Sequence, residues 1–190
     1  MTRLEIKEPL PMRKSGYTLL LLIILQTNYA SSQTTTIIHL LQKNLKQENE
    51  ARQMVHTEVD SLGNEIGYIQ QDIDSLEVAE LTIKNDTLFY TTKQKMLYEK
   101  GYYLEQQMVA LQDIRAVTKD IGIFFETSPD KVTLIRKEYF DDGNYTKSST
   151  TKDLFRTHFV SLRQNEYLAD ELIKAFKKAG YKIEKGYWYD

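Results

Sequence analysis

The chain has 190 residues, 41% of them hydrophobic and 27% charged, with a formal charge of −2 and no cysteine. That length and apolar content suit one ordinary domain with an appendage and leave little room for two. Without cysteine there is no disulfide framework, thiolate metal site, thiol nucleophile or lipid-bearing cysteine, and without a dominant basic patch, phosphate-driven nucleic-acid binding is disfavoured.

Near the start, Arg13-Lys14 precedes the apolar run Tyr17 to Leu25, and Gln26 to Gln33 follows with small and polar residues. This is the order of a secretory signal peptide, and the apolar run falls well short of the ~20 residues a spanning helix needs. Ala30 and Ser32 suit the small-residue positions before a cut, so residues 1–32 read as signal peptide, with Met12 as an alternative start. Removing their four basic and two acidic residues leaves 21 basic and 25 acidic, a net of −4. The expectation is an exported bacterial protein, periplasmic or extracellular. The alternative is an uncleaved anchor, which is the only way a membrane enters this reading.

From Thr36 to about Glu77 apolar residues step by threes and fours. One register takes Leu41, Glu48, Val55, Leu62, Ile69 and Leu76, and the other Ile38, Leu45, Arg52, Val59, Ile66 and Ile73. Glu48 and Arg52 are the two polar breaks, and four residues apart they can pair with each other. The pattern is that of a heptad seam and predicts a helical stalk over residues 33–78, bent or broken near Leu62 to Gly67 by Gly63 and Gly67. Leu41, Val55, Leu62, Ile66, Ile69 and Ile73 are then candidate contacts. They serve either self-association through a coiled coil or packing of a helix back on its own domain.

After Glu77 the period changes to two. Leu81 and Ile83 alternate with polar neighbours, Asn85-Asp86 turns the chain, and Leu88 and Tyr90 return it as a hairpin. Gly101 opens a strand in which Tyr102, Leu104 and Met108 face one way. Asp113 to Val117 is less regular and leads into Ile121, Ile123 and Phe125, expected inward. Ser128-Pro129-Asp130-Lys131 and Asp141-Asp142-Gly143-Asn144 are turns around a strand beginning at Val132. A polar loop is expected from Thr146 to Asp153, then a last strand around Leu154 to Leu162.

Asn165 to Gly180 closes the pattern. Leu168, Leu172, Ala175, Phe176 and Ala179 form an apolar stripe at helical spacing, Asn165 is in place to cap one end, and Gly180 can adopt the left-handed turn that ends the other. Acidic residues in the first half and lysines in the second suit the helix dipole, and Asp170 and Lys174 stand one turn apart. The expected fold class is α+β: an N-terminal long helix, coiled-coil-like, then in residues 79–190 a bent antiparallel sheet of six or seven strands capped by a C-terminal helix. In that order of elements, with the Leu-Ile-Lys-Ala-Phe run at Leu172 to Phe176, the chain resembles exported bacterial proteins with a pleckstrin-homology-like C-terminal domain. Lipid-binding members of that group hold headgroups with basic residues in the first hairpin loop. Here that loop is Asn85-Asp86, so headgroup binding does not carry over, and Lys93, Lys95 and Lys100 read as a solvated edge.

His39, His56 and His158 are the only histidines and lack zinc-ligand spacing. Asp141 to Asn144 has its glycine too early for a calcium loop, and there is no nucleophile elbow or phosphate-cradling loop. No catalytic, metal or cofactor site is expected. Tyr187, Trp188 and Tyr189 offer a stacking surface for a ligand, or a final segment packed on the sheet edge. The sequence thus points to a non-catalytic exported module for protein interaction or envelope organisation, self-associating through the stalk. A periplasmic chaperone or adaptor is the alternative. A hydrolase would need a carboxylate pair drawn from Asp113, Asp120, Glu126 and Glu138.

Overall fold

The computed structural model describes residues 34–70, 75–96 and 100–189; the expected signal segment 1–32 and Ile73 lie outside them. Helix α1 covers residues 34–52. Its buried stripe is Ile37, Leu41, Asn44, Glu48 and Arg52, spaced by threes and fours. The two polar breaks do pair, Arg52 Nε donating to Glu48 Oε1 at 2.7 Å. Their burial serves a later segment: the Ser161 N–H donates to both Glu48 carboxylate oxygens at 3.1 and 2.9 Å, and Arg52 Nη2 donates to the His158 carbonyl at 2.9 Å. Ile37 and Leu41 share one core with the sheets, so α1 is folded back on its own domain.

The expected helix does not continue past Arg52. Val55–Val59 (β1) and Glu65–Gln70 (β2) form an antiparallel two-stranded ribbon instead. Val55, Thr57, Val59, Ile66 and Ile69 are β-branched and suit the pleated backbone of β1 and β2, but residue type alone does not separate these strands from α1, whose first turns hold Thr34, Thr35, Thr36, Ile37 and Ile38. Asp60 to Asn64 supplies the turn between the two strands.

Two sheets build the body. The first has strands in the order β3 (Glu77–Lys84), β4 (Thr87–Lys95), β5 (Gly101–Ala110), β8 (Val132–Phe140) and β9 (Tyr145–Lys152). The second runs β10 (Leu154–Arg156), β7 (Ile123–Thr127), β6 (Ile114–Lys119) and β11 (Glu184–Trp188). A single expected sheet of six or seven strands is therefore replaced, among the described residues, by nine strands in two sheets. The hairpin β6–β7 leaves the first sheet between β5 and β8, and β11 joins β6 in parallel.

Turn chemistry fixes much of this. Asn85 and Asp86 both have positive φ, 48° and 57°, the primed geometry that suits the twist of a two-residue hairpin. Ile123 and Phe125 point inward as expected, but Ile121 is 79% exposed because it sits in the β6–β7 turn. The polar stretch from Thr146 is strand β9 rather than a loop, and the strand expected from Leu154 to Leu162 ends at Arg156.

Helix α2 (Tyr167–Lys178) buries Leu168, Ala169, Leu172, Ala175 and Phe176. Gly180, at φ 89°, closes it, with the Tyr181 N–H donating to the Phe176 carbonyl at 2.9 Å. Asn165 does not cap the helix with its side chain; its Oδ1 accepts from the Lys119 ammonium at 2.9 Å. A line of rings crosses the core: Tyr90 to Phe155 at 6.0 Å, Phe155 to Phe125 at 6.0 Å and Phe125 to Phe176 at 5.8 Å. It joins the five-stranded sheet to the four-stranded sheet and that sheet to α2. Gln107 on β5 ties the sheets further, its amide accepting from Arg156 N–H at 2.8 Å and donating to Arg156 carbonyl at 2.9 Å, as a neighbouring strand would.

Candidate interaction surface

The β1–β2 ribbon is built around Asp60. Its carboxylate accepts from the Leu62 N–H at 2.8 Å, the Asn64 N–H at 2.9 Å and Asn64 Nδ2 at 2.9 Å, and Gly63 at φ 86° completes the turn. These donors, the Asn64 side chain first, hold the Asp60 carboxyl below its ordinary range. A well-made turn thus carries an apolar surface into water: Leu62 is 85% exposed, Ile66 65%, Val59 57% and Met54 56%. Four of the chain's exposed large hydrophobic residues fall within thirteen consecutive positions, a grouping unlike scattered surface apolar residues. No third strand pairs with the ribbon among the described residues, and an isolated two-stranded hairpin is marginal in water.

The residues expected from the seam separate into two sets. Leu41 is 3% exposed and belongs to the core. Val55 and Ile69 lie on β1 and β2, while Leu62 and Ile66 are on the open surface of the ribbon. At the other end of the chain, Trp188 packs against the core on β11, with the Lys119 ammonium 5.9 Å from its ring centre. Tyr187 and Tyr189 are 49% and 65% exposed and tilt against each other at 5.6 Å. Tyr187 and Trp188 accordingly end the sheet-edge strand β11, and Tyr189 follows it, with both tyrosines exposed.

Titratable groups inside the body gather where α1, β5 and the segment after β10 meet. His158 Nε2 stands 3.4 Å from Glu105 Oε1, an ion-pair distance without the alignment of a hydrogen bond. The imidazole, then the guanidinium charges of Arg136 and Arg156, keep the Glu105 carboxyl below its usual range against the opposing effect of burial. Burial pushes the Tyr90 phenol up, and its hydroxyl donates to the Thr157 carbonyl at 2.7 Å. This arrangement holds the His158 segment in place; His158 itself has φ 61°, uncommon for a residue with a side chain. Of the four carboxylates considered for hydrolysis, Asp113 lies in the 3₁₀ turn after β5, Asp120 after β6, Glu126 on β7 and Glu138 on β8. Glu138 is engaged by Arg136 at 2.8 Å and by Thr146 at 3.0 Å. Among those residues, no group of three His, Asp or Glu could hold a metal ion, and no helix is long and apolar enough to cross a membrane.

No family model matches the chain, and neither does any curated protein or solved structure.

Proposed function

We propose that the protein is an exported, non-catalytic interaction module that associates with a second copy of itself through the β1–β2 ribbon. The single observation behind this reading is the lone ribbon with Met54, Val59, Leu62 and Ile66 more than half exposed. Burying such side chains contributes about 1.5–3 kcal/mol each, enough to make a marginal ribbon dependent on what covers it. Among the described residues both outer edges of the ribbon are without a neighbouring strand, so a second ribbon can extend it to four strands. Export is supported by the Arg13-Lys14, Tyr17 to Leu25 and Ala30 to Ser32 pattern. The body then acts as scaffold, and antiparallel strands set against a C-terminal helix support a pleckstrin-homology-like description of it. The hairpin β6–β7, inserted between β5 and β8, is its departure from a plain meander.

Light scattering coupled to size exclusion, on residues 33–190, tests the reading. The expected result is a concentration-dependent dimer that becomes a monomer in Leu62→Asp/Ile66→Asp with an unchanged circular dichroism spectrum. A monomer at every concentration that suppresses aggregation of an unfolded client moves the function to a periplasmic chaperone or adaptor. A monomer that does neither removes the ribbon as an interaction surface.

A further inference from the structure

The five-stranded sheet has a core face, lined by Leu88, Tyr90, Val109 and Val132, and an outer face with a pattern of its own. Across the outer face, Lys93 on β4 stands opposite Leu104 on β5, Leu104 opposite Lys137 on β8, and Lys137 opposite Lys147 on β9. Two residues along, on the same face, Lys95 is opposite Tyr102, Tyr102 opposite Tyr139, and Tyr139 opposite Tyr145. A basic row therefore runs beside a tyrosine row, both perpendicular to the strands.

Carboxylates meet this face at its β3 side, where Glu77 pairs with Lys93 at 3.2 Å and Glu80 with Lys84 at 2.9 Å, and at the Thr151 end of β9, where Asp130 accepts from the Thr151 hydroxyl at 2.9 Å. At the β8–β9 side Lys137 and Lys147 are direct cross-strand neighbours, and among the described residues neither makes an ion pair or hydrogen bond. Like charges in that position destabilise a sheet. An anion seated between Lys137 and Lys147 turns that cost into an attraction.

The tyrosine row decides what kind of anion. Tyr102 and Tyr139 stack at 5.0 Å with 17° between their planes, Tyr139 and Tyr145 at 6.1 Å and 22°, and the Lys93 ammonium lies 5.0 Å from the Tyr102 ring centre. Tyr139 has a ring on either side of it, so it offers its edge and hydroxyl, and the outer face of Tyr145 at the β9 edge is left without a ring partner. Single-stranded nucleic acid needs a succession of open ring faces for its bases. A sugar ring with a carboxylate on one side and hydroxyls on the other matches an ammonium row next to a phenol row. We propose that the outer face of the five-stranded sheet binds a linear carboxylated polysaccharide, its carboxylates at Lys137 and Lys147 and its hydroxyls along Tyr102, Tyr139 and Tyr145.

Affinity electrophoresis of the full chain in gels containing polygalacturonate tests this, with neutral dextran, oligodeoxythymidylate and phosphatidylglycerol vesicles as comparison probes. Retardation by polygalacturonate alone is expected, weakening with added salt. In Lys137→Gln/Lys147→Gln it falls roughly tenfold, the loss of two charge-assisted contacts, while the melting temperature holds or rises because the repulsion is gone. Absence of retardation, equal retardation of the variant, equal binding to dextran, or tighter binding to the oligonucleotide or the vesicles each overturns the proposal.

Discussion

Strands β6 and β9 are extremes of one molecule. In β6 the consecutive residues Ala116, Val117, Thr118 and Lys119 are all buried, so both faces of the strand are dry; in β9 every residue from Tyr145 to Lys152 is exposed, so both faces are wet. Neither strand alternates between apolar and polar residues, because alternation records a difference between two faces and here there is none. A strand's legibility thus depends on asymmetry of solvent around it, and its energetic weight depends on how much of it is dry.

The sharpest way to break this contrast is to place the same charge in both strands. Val117→Asp buries an unpaired carboxylate and is expected to cost more than about 4 kcal/mol, whereas Ser149→Asp should stay within about 0.5 kcal/mol. Urea denaturation checks both, and similar midpoints for the two variants would refute the contrast. Next in size is Lys119→Met. Lys119 is 1% exposed, and its ammonium donates to the Leu162 carbonyl and to Asn165 Oδ1, each at 2.9 Å. Methionine keeps much of the volume but leaves two buried acceptors unmatched, so a loss of about 1–3 kcal/mol is expected in the same measurement.

The smallest effect lies between the extremes, on the core face of β5. Native Glu105 binds its proton less tightly than the unfolded chain does, so its contribution is fully present above the ordinary carboxyl value of 4.5 and is lost as pH falls below it. Glu105→Gln should therefore flatten the acid side of the stability profile and leave its shape at neutral pH alone. Thermal melts from pH 3 to pH 7 read this, and parallel curves for the two proteins would remove the His158–Glu105 contact as a source of stability.

Residues that act locally were readable in the sequence. Asn85-Asp86, the Ser128 to Lys131 turn and Gly180 impose backbone conformations whatever surrounds them, and the Leu168 to Phe176 stripe needs only one apolar surface to pack on. The β1–β2 ribbon is hidden because Val55, Leu62 and Ile69 fall at heptad spacing. The available signal is the turn chemistry of Asp60 to Asn64, with Gly63 at positive φ, in the middle of the expected helix. Asn165 escapes a local rule for another reason: its partner, Lys119, is 46 residues away. The outer face of the five-stranded sheet was invisible in the same way, since Lys137 and Lys147 become neighbours only through the β8–β9 register. Tyr102, Leu104 and Met108 were correctly grouped on one face, yet that face is the outer one, and Gln107 and Val109 are the pair turned to the core.

The clamp between α1 and the segment after β10 also orders events in time. Glu48 precedes Ser161 by 113 positions, so a ribosome, which releases the chain from its N-terminus, delivers one half of the clamp long before the other. Until the residues after β10 emerge, Glu48 and Arg52 can pair with each other but not with Ser161 and His158, while Asn49 can already bond both backbone groups of Leu76. The helix can thus be seated early through Asn49 and fastened late through Glu48, the two contacts spanning 27 and 113 positions of the chain.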